Sequence, residues 1–341
     1  MQAHAATKLI ISGEHAILYG APALTLQLPL MTQCQLEFQS DLSSGFEINL
    51  CDLSVQQTFT WAQWQTQSTQ IQQRFDEFKH AHVPIQSVLR TPFDLILIAL
   101  YKLHQQHPLT KGFWRLHLHS DAPIGRGLGS SASVISALLK ACLAQMQISV
   151  STDALWQLVT QIECFQHGRS SGLDPAAILL APVLKMTPPQ QFTSLQLHPI
   201  TGIQTWLIDT GTPQSSTGEC VAQVKQQHGN DSALWQAFTQ TCTQIEQALK
   251  QGNNLLLLSA IRHNQTLLQQ IGVVPSKIAD FCATINQNPE QAIKVCGAGA
   301  IRGDQAGMLL YLGKQPPTEL VSNYGFDCQL IATPFSDTSL L

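Results

Sequence analysis

An α+β fold is the class this sequence predicts, and three observations carry that expectation. Long runs alternating polar and apolar residues come early, in ALTLQLPLMTQCQLEFQ (23–39) and FEINLCDLSVQQTFTW (46–61), as half-buried strands do. Strands and helical segments are interleaved, yet the antiparallel-looking runs come first, which disfavours a doubly wound sheet. The chain has 341 residues, enough for two cores at about 150 residues each.

The elements can be justified in order. TKLIISGEH predicts a strand over 7–12 that ends at Gly13, and helical patterning predicts helices over 61–80 and 92–106. GFWRLHLHSD is a strand that places His117 and His119 on one face, open to a metal pair or to plain solvation. After a glycine-rich turn, Val134, Ile135, Leu138, Leu139, Cys142, Leu143 and Met146 recur at helical spacing, and a second helix covers 152–166. The adjacent prolines of LKMTPPQQFTS mark the best domain boundary, giving domains 1–190 and 191–341. Beyond it come the strand TWLID and helices near 216–228, 231–250, 254–270 and 276–287. A second glycine cluster, KVCGAGAIRGDQAG, precedes the closing strands MLLYL and FDCQLIATPF.

Composition narrows the function. Hydrophobic residues make up 44% and charged ones 12%, a globular balance. A net charge of −4 argues against a nucleic-acid polyanion as main partner, while leaving room for a small phosphate. Nine scattered cysteines with no CxxC pair, and no leader-like start, predict reduced, mostly buried thiols in a cytoplasmic protein. The most apolar run, PFDLILIALYKLH, is interrupted by Asp94 and too short to span a bilayer, so no membrane partner is expected.

DAPIGRGLGSSASVISALL (121–139) sets flexible residues directly before a helix. A helix N-terminus carries unsatisfied N–H groups and partial positive charge, and glycines let an anion approach them. The alternative is a tight strand–helix turn capped by Ser130 or Ser131. Neither GxxxxGK[ST] nor GxGxxG is present, so two familiar phosphate loops are excluded.

What remains, Pro123 to Ser133, resembles the phosphate-loop motif of the GHMP kinase superfamily. KLIISGEHAILYGAPAL (8–24) resembles the N-terminal signature of the mevalonate kinases within it. HGRSSGLDPAA (167–177) and KVCGAGA (294–300) resemble the second and third motifs, so the likeness runs from Lys8 to Ala300. It implies a two-domain α+β fold, with a ribosomal-protein-S5-like N-terminal domain and a ferredoxin-like C-terminal one.

The resemblance also implies roles. Pro123, Gly125, Gly127, Leu128, Gly129, Ser130, Ser131 and Ala132 would cradle the phosphates of ATP, with Ser131 and Glu163 on Mg²⁺. Asp174, in the loop after the 152–166 helix, would be the catalytic base, with Lys8 beside it. Two unit charges at ~4 Å interact by ~4 kcal/mol at an effective dielectric of 20, enough to keep such a carboxylate ionised. Glu14 and His15 would contact the acceptor, His15 as a donor, against the plainer reading of a polar turn. Thr217, with Ser216 close behind, would return a hydroxyl to the site, and Gly297, Ala298 and Gly299 would line it.

The expected reaction is ATP-dependent phosphorylation of the 5-hydroxyl of mevalonate, by an enzyme of a kind often found as a homodimer. Alternatives are a phosphomevalonate kinase, another small-molecule kinase of this fold, or a non-catalytic metabolite sensor. Three departures stand out: Ser170-Ser171-Gly172 where Pro-Ser-Gly is common, Cys296 where Ser or Thr is common, and unpaired glycines in the third motif. Arg302 is open to adding a cationic contact there, a role the sequence leaves undecided.

Overall fold

The computed structural model describes residues 1–40, 43–81 and 83–333. Along the chain, β1 (Gln2–Ser12) and β2 (Ala23–Gln39) precede β3 (Gly45–Leu50), β4 (Val55–Thr60), α1 (Trp61–Ala81), α2 (Asp94–Gln106) and β5 (Phe113–Ser120). Next come α3 (Ser130–Gln145), α4 (Thr152–His167), α5 (Leu173–Leu179), β6 (Val183–Thr187), β7 (Gln191–Ser194) and β8 (Gln204–Asp209). The last stretch holds α6 (Thr217–His228), α7 (Ser232–Gln251), α8 (Asn254–Gln270), α9 (Ser276–Asn286), β9 (Ala292–Val295), β10 (Met308–Gly313), α10 (Thr318–Tyr324) and β11 (Asp327–Ile331). The class is α+β, and no helix among the described residues is long and apolar enough to cross a membrane.

Two compact units emerge, and neither is a continuous stretch. The first gathers residues 1–7, 30–122 and 129–179; the second gathers 8–29, 123–128 and 180 onward. Neither therefore coincides with 1–190 or 191–341.

In the first unit the strands run β4-β3-β5-β2, with β3 parallel to β5 and the other pairs antiparallel. A parallel pair needs a crossover, and β4, α1 and α2 supply it. Alternate residues of the strands, among them Phe46, Ile48, Trp114 and Leu116, bury one sheet face against Trp64, Leu97, Ile135 and Phe165 of the helices. The period-2 and period-3.6 patterns thus meet in one core. At its edge, Gly172 turns the chain from α4 into α5 with φ +77°, and a Cβ there would lie 2.7 Å from the Trp156 ring. The Trp156 indole N–H donates to the Gly172 carbonyl at 2.9 Å, which fixes the turn from both sides.

In the second unit β6 pairs antiparallel with the first part of β2 and with β7, and a four-stranded antiparallel sheet runs β11-β8-β10-β9. Trp206, Ile208, Ile293, Leu309 and Tyr311 of that sheet pack with Phe238, Leu268 and Phe281 of α7 to α9. Lys185 of β6 reaches Glu246 of α7 at 2.7 Å, and Lys250 reaches it at 2.6 Å. Burial alone would raise the Glu246 carboxyl, but the two lysines outweigh it and its pKa is lowered.

Several expectations change. The first strand begins at Gln2 rather than Thr7, because Ala5 and Thr7 already face inward. The double-proline segment is no boundary: Pro188 and Pro189 form the turn between β6 and β7. Asp174 lies in the first turn of α5 rather than in a loop. The closing strand ends at Ile331, and residues 334 and 335 of its expected span lie outside the described residues. All nine cysteines are free thiols, six of them buried.

Two expected outcomes follow from these contacts. Gly172→Ala should destabilise by about 1–3 kcal/mol, since it adds left-handed strain and a ring clash; Gly202→Ala, also left-handed but with open space around it, should cost only the strain. Urea midpoints of the two variants check the order. Because the Glu246 pKa is lowered in the folded state, its contribution is present above about pH 4.5 and lost as pH falls through the folded value. Glu246→Gln should therefore lose less stability than the parent between pH 7 and pH 4, read from paired urea titrations.

Candidate active site

The glycine-rich turn takes its shape from backbone that side chains resist. Gly125, Gly127 and Gly129 hold φ of 74°, 83° and 69°, and Gly129 is the N-cap of α3. No side chain caps this helix, so neither Ser130 nor Ser131 plays the capping part open to them in the sequence. The first amides of a 16-residue helix thus have no side-chain cap, and small residues such as the buried Ala132 lie behind them. Left-handed glycines alternating with other residues also turn successive N–H groups to one side, as an anion-binding nest requires. Pro123 and Leu128 flank these glycines, Leu128 buried and Pro123 half-buried.

In the first unit, Ser131 Oγ donates to Glu163 Oε1, and Glu163 is buried at 2% exposure. His167 Nε2 lies 3.9 Å from the same oxygen, one turn along α4. Two hard oxygens side by side behind the glycine-rich turn are of the kind that suits Mg²⁺, which takes one or two protein ligands and completes its shell from phosphate and water. No group of three His, Cys, Asp or Glu able to hold a metal occurs among the described residues. His119 pairs instead with Asp52 at 2.6 Å, and its pKa is raised by that hydrogen bond; His117 Nδ1 lies 3.3 Å from Asn49. Asp174 is half-buried at the start of α5, directly after Leu173, whose amide donates to Ser171 Oγ at 3.2 Å.

The second unit holds the other named residues. Lys8 is buried, its Nζ donating to the Gly127 carbonyl at 3.2 Å and its amide to the Leu128 carbonyl at 3.0 Å. Gly127 backs onto the third motif: a Cβ there would lie 3.3 Å from the Cys296 carbonyl, and one on Gly297 would lie 3.4 Å from Gly127 Cα. Gly299 is fixed more tightly still, since a Cβ would meet the Val273 carbonyl. Arg126 holds the turn by pairing with Asp209 at 2.7 Å and by donating to Thr212 Oγ1.

Glu14 and His15 are buried rather than displayed on a polar turn. Glu14 pairs with Lys294, and His15 Nε2 lies 3.0 Å from the Ala298 carbonyl. A carbonyl only accepts, so Nε2 carries the hydrogen; burial lowers the ring pKa and keeps it neutral. Nδ1 is then an acceptor, which corrects the donor role expected for His15. Burial likewise raises the Glu14 pKa, against the pull of Lys294 and Lys8.

Two more expectations are redirected. Arg302 pairs with Glu219 at 2.8 Å and donates to the Gln214 carbonyl at 3.1 Å, rather than standing ready for phosphate. Ser216 and Glu219 form a capping box for α6, which occupies the Ser216 hydroxyl and leaves Thr217 exposed beside it. Hydrogen bonds from Ser216 and Arg302 hold the Glu219 carboxyl down at about 2.

Sequence reasoning gave no role to Lys294 or Arg126. A lysine inside the otherwise apolar AIKV was a signal, because a buried ammonium demands a partner.

The sequence profile described as GHMP kinases N terminal domain matches residues 94–181. A mevalonate kinase of Pyrococcus abyssi is 24% identical over 308 residues, covering 87% of this chain and 85% of that protein. Among solved structures, the Methanococcus jannaschii mevalonate kinase superposes with a TM-score of 0.78 at 19% identity, covering 98% of each chain. A Streptococcus pneumoniae phosphomevalonate kinase in complex with phosphomevalonate and AMPPNP gives 0.70 at 17% identity, covering 97% of this chain and 100% of that one. The fold is thus shared across kinases of different acceptors, and the acceptor has to be argued from residues. By profile over residues 94–181, by relatives and by fold, the chain is similar to the GHMP kinases, and among them to the mevalonate kinases.

Proposed function

We propose that this protein is a cytoplasmic, ATP- and Mg²⁺-dependent kinase that phosphorylates the 5-hydroxyl of mevalonate. The observation carrying the reading is the Ser131–Glu163 hydrogen bond in the first turns behind an uncapped, left-handed glycine entry to α3. Uncapped amides favour a polyphosphate, and an alcohol–carboxylate pair favours the cation that accompanies it.

In this reading the amides after Gly129 hold the phosphates, and Ser131 and Glu163 would hold Mg²⁺. Mg²⁺, when bound, supplies charge neutralisation on the phosphate oxygens. Asp174 orients the acceptor hydroxyl and takes its proton as the oxygen bonds to the γ-phosphorus and the bond to the β–γ bridging oxygen breaks, releasing ADP. The proton moves late, once the loose transition state has delivered charge to the attacking oxygen, with Lys8 as the second catalytic residue of this reading. The acceptor side is supported by Glu14 and His15, whose free atoms are acceptors suited to hydroxyls rather than to a phosphate. Thr217 and the Gly297–Gly299 backbone complete the proposed lining.

Phosphomevalonate is the nearest rival acceptor, and it would want cations there. Of the cations nearby, Lys294 is already paired with Glu14 and Arg302 with Glu219. A coupled ADP-release assay with mevalonate, phosphomevalonate, galactose and homoserine separates the choices. Release with mevalonate alone is expected; release only with phosphomevalonate would reverse the assignment, and none with any would favour a sensor. Asp174→Asn should retain ATP binding by equilibrium titration while kcat falls by ~10² to 10⁴; near-normal turnover would remove Asp174 from the base role.

A further inference from the structure

Lys294 is among the largest fully buried side chains of the protein, at 0% exposure in a strand whose residues are all buried. Removing an ammonium from water costs several kcal/mol unless it is well paired. Here Nζ donates to Glu14 Oε1 and lies 3.4 Å from the Ile10 carbonyl. The pair therefore joins the end of β1 to the strand that leads into the third glycine motif.

The pairing is incomplete on the glutamate's side. Glu14 Oε2 and His15 Nδ1 are both buried and have no hydrogen-bond partner among the described residues. Buried polar atoms are nearly always paired, so two orphan acceptors on neighbouring residues point to a missing donor. The backbone is also set in advance: His15 holds φ 56°, a strained value for a residue with a side chain, and Gly13 lies so close to β2 that a Cβ would sit 2.5 Å from Ala23 Cα. Asn264 of α8 completes the bracing by donating to Ser12 Oγ at 3.1 Å.

We propose that Lys294 is a positioning residue for the acceptor alcohol: by engaging one oxygen of Glu14, it fixes the other, together with His15 Nδ1, as hydroxyl acceptors. This rests on the small-molecule kinase reading above. Without Lys294 the buried carboxyl loses the donor that holds Oε1, and its second oxygen is no longer fixed in place. Lys294 touches no substrate in this scheme and acts through Glu14.

The test compares the parent with Lys294→Met, Glu14→Gln and the double variant, varying acceptor and ATP separately in steady-state kinetics. Lys294→Met should raise the acceptor KM by ~10-fold or more, the loss of about one charged hydrogen bond, with the ATP KM within about twofold of the parent. Glu14→Gln and the double variant should share one acceptor KM, because Lys294 has nothing left to position. A purely structural lysine would instead move both KM values or thermal stability alone. Should Lys294→Met fail to fold, the double variant, which removes both charges, is compared with Glu14→Gln alone. An unchanged acceptor KM in Lys294→Met, or a further rise in the double variant, overturns the proposal. Should the parent turn over a different alcohol, the mevalonate reading fails while the same comparison, made on that alcohol, decides Lys294. An inactive parent overturns the kinase reading itself, and this inference with it.

Discussion

A helix can offer its first amides to an anion only if the preceding residue neither caps them nor blocks the approach. Gly129 meets both conditions, with φ 69° and no side chain, and much of the second unit's irregular backbone is arranged around the turn it ends. Arg126 is tethered to Asp209 at the end of β8, its carbonyl accepts from the Met308 amide at 3.3 Å, and Gly127 lies flat against Cys296 and Gly297. A Cβ on any of these glycines would meet left-handed strain, and on Gly127 it would also press on the Cys296 carbonyl at 3.3 Å. The glycines are thus fixed by what lies behind them as well as by what they are expected to hold.

The burial of charge separates structural from chemical roles. Only 12% of the chain is charged, so each buried charge needs a reason. Asp94 has a structural one: Arg74 at 2.8 Å, the Arg90 amide at 2.9 Å and the Thr91 hydroxyl use both its oxygens at the start of α2. Glu14 differs, because one oxygen is spoken for by Lys294 and the other by nothing among the described residues. A satisfied carboxylate holds a fold together. One left half-satisfied in a well-packed interior carries a cost that a ligand can relieve.

Much of the fold was legible because its helices are long and periodic: α1, α2, α4, α7 and α8 fall within two residues of the patterns in the chain. The misses share a cause in brevity or interruption. α5 has seven residues and opens Leu-Asp-Pro, and β9 has four with a lysine among them. The double proline read as a break because two prolines forbid regular hydrogen bonding, yet a hairpin turn needs none at those positions. Resemblance rather than spacing singled out Ser131 and Glu163, which a hydrogen bond joins. The role of His15 was inverted because its tautomer is set by the Ala298 carbonyl, 283 residues away. Partners that distant leave no trace in a local window, and the same holds for Lys294 and Glu14.

That separation has a consequence during synthesis. Glu14 leaves the ribosome 280 residues ahead of Lys294, which at 5–20 residues per second is roughly a quarter of a minute to a minute. For more than half of that interval the nascent segment 8–29 lacks the strands and helices of its own unit, which are encoded from 180 onward. Its apolar strand waits for β6, and the carboxyl of Glu14 must stay hydrated or shielded longer, until Lys294 arrives.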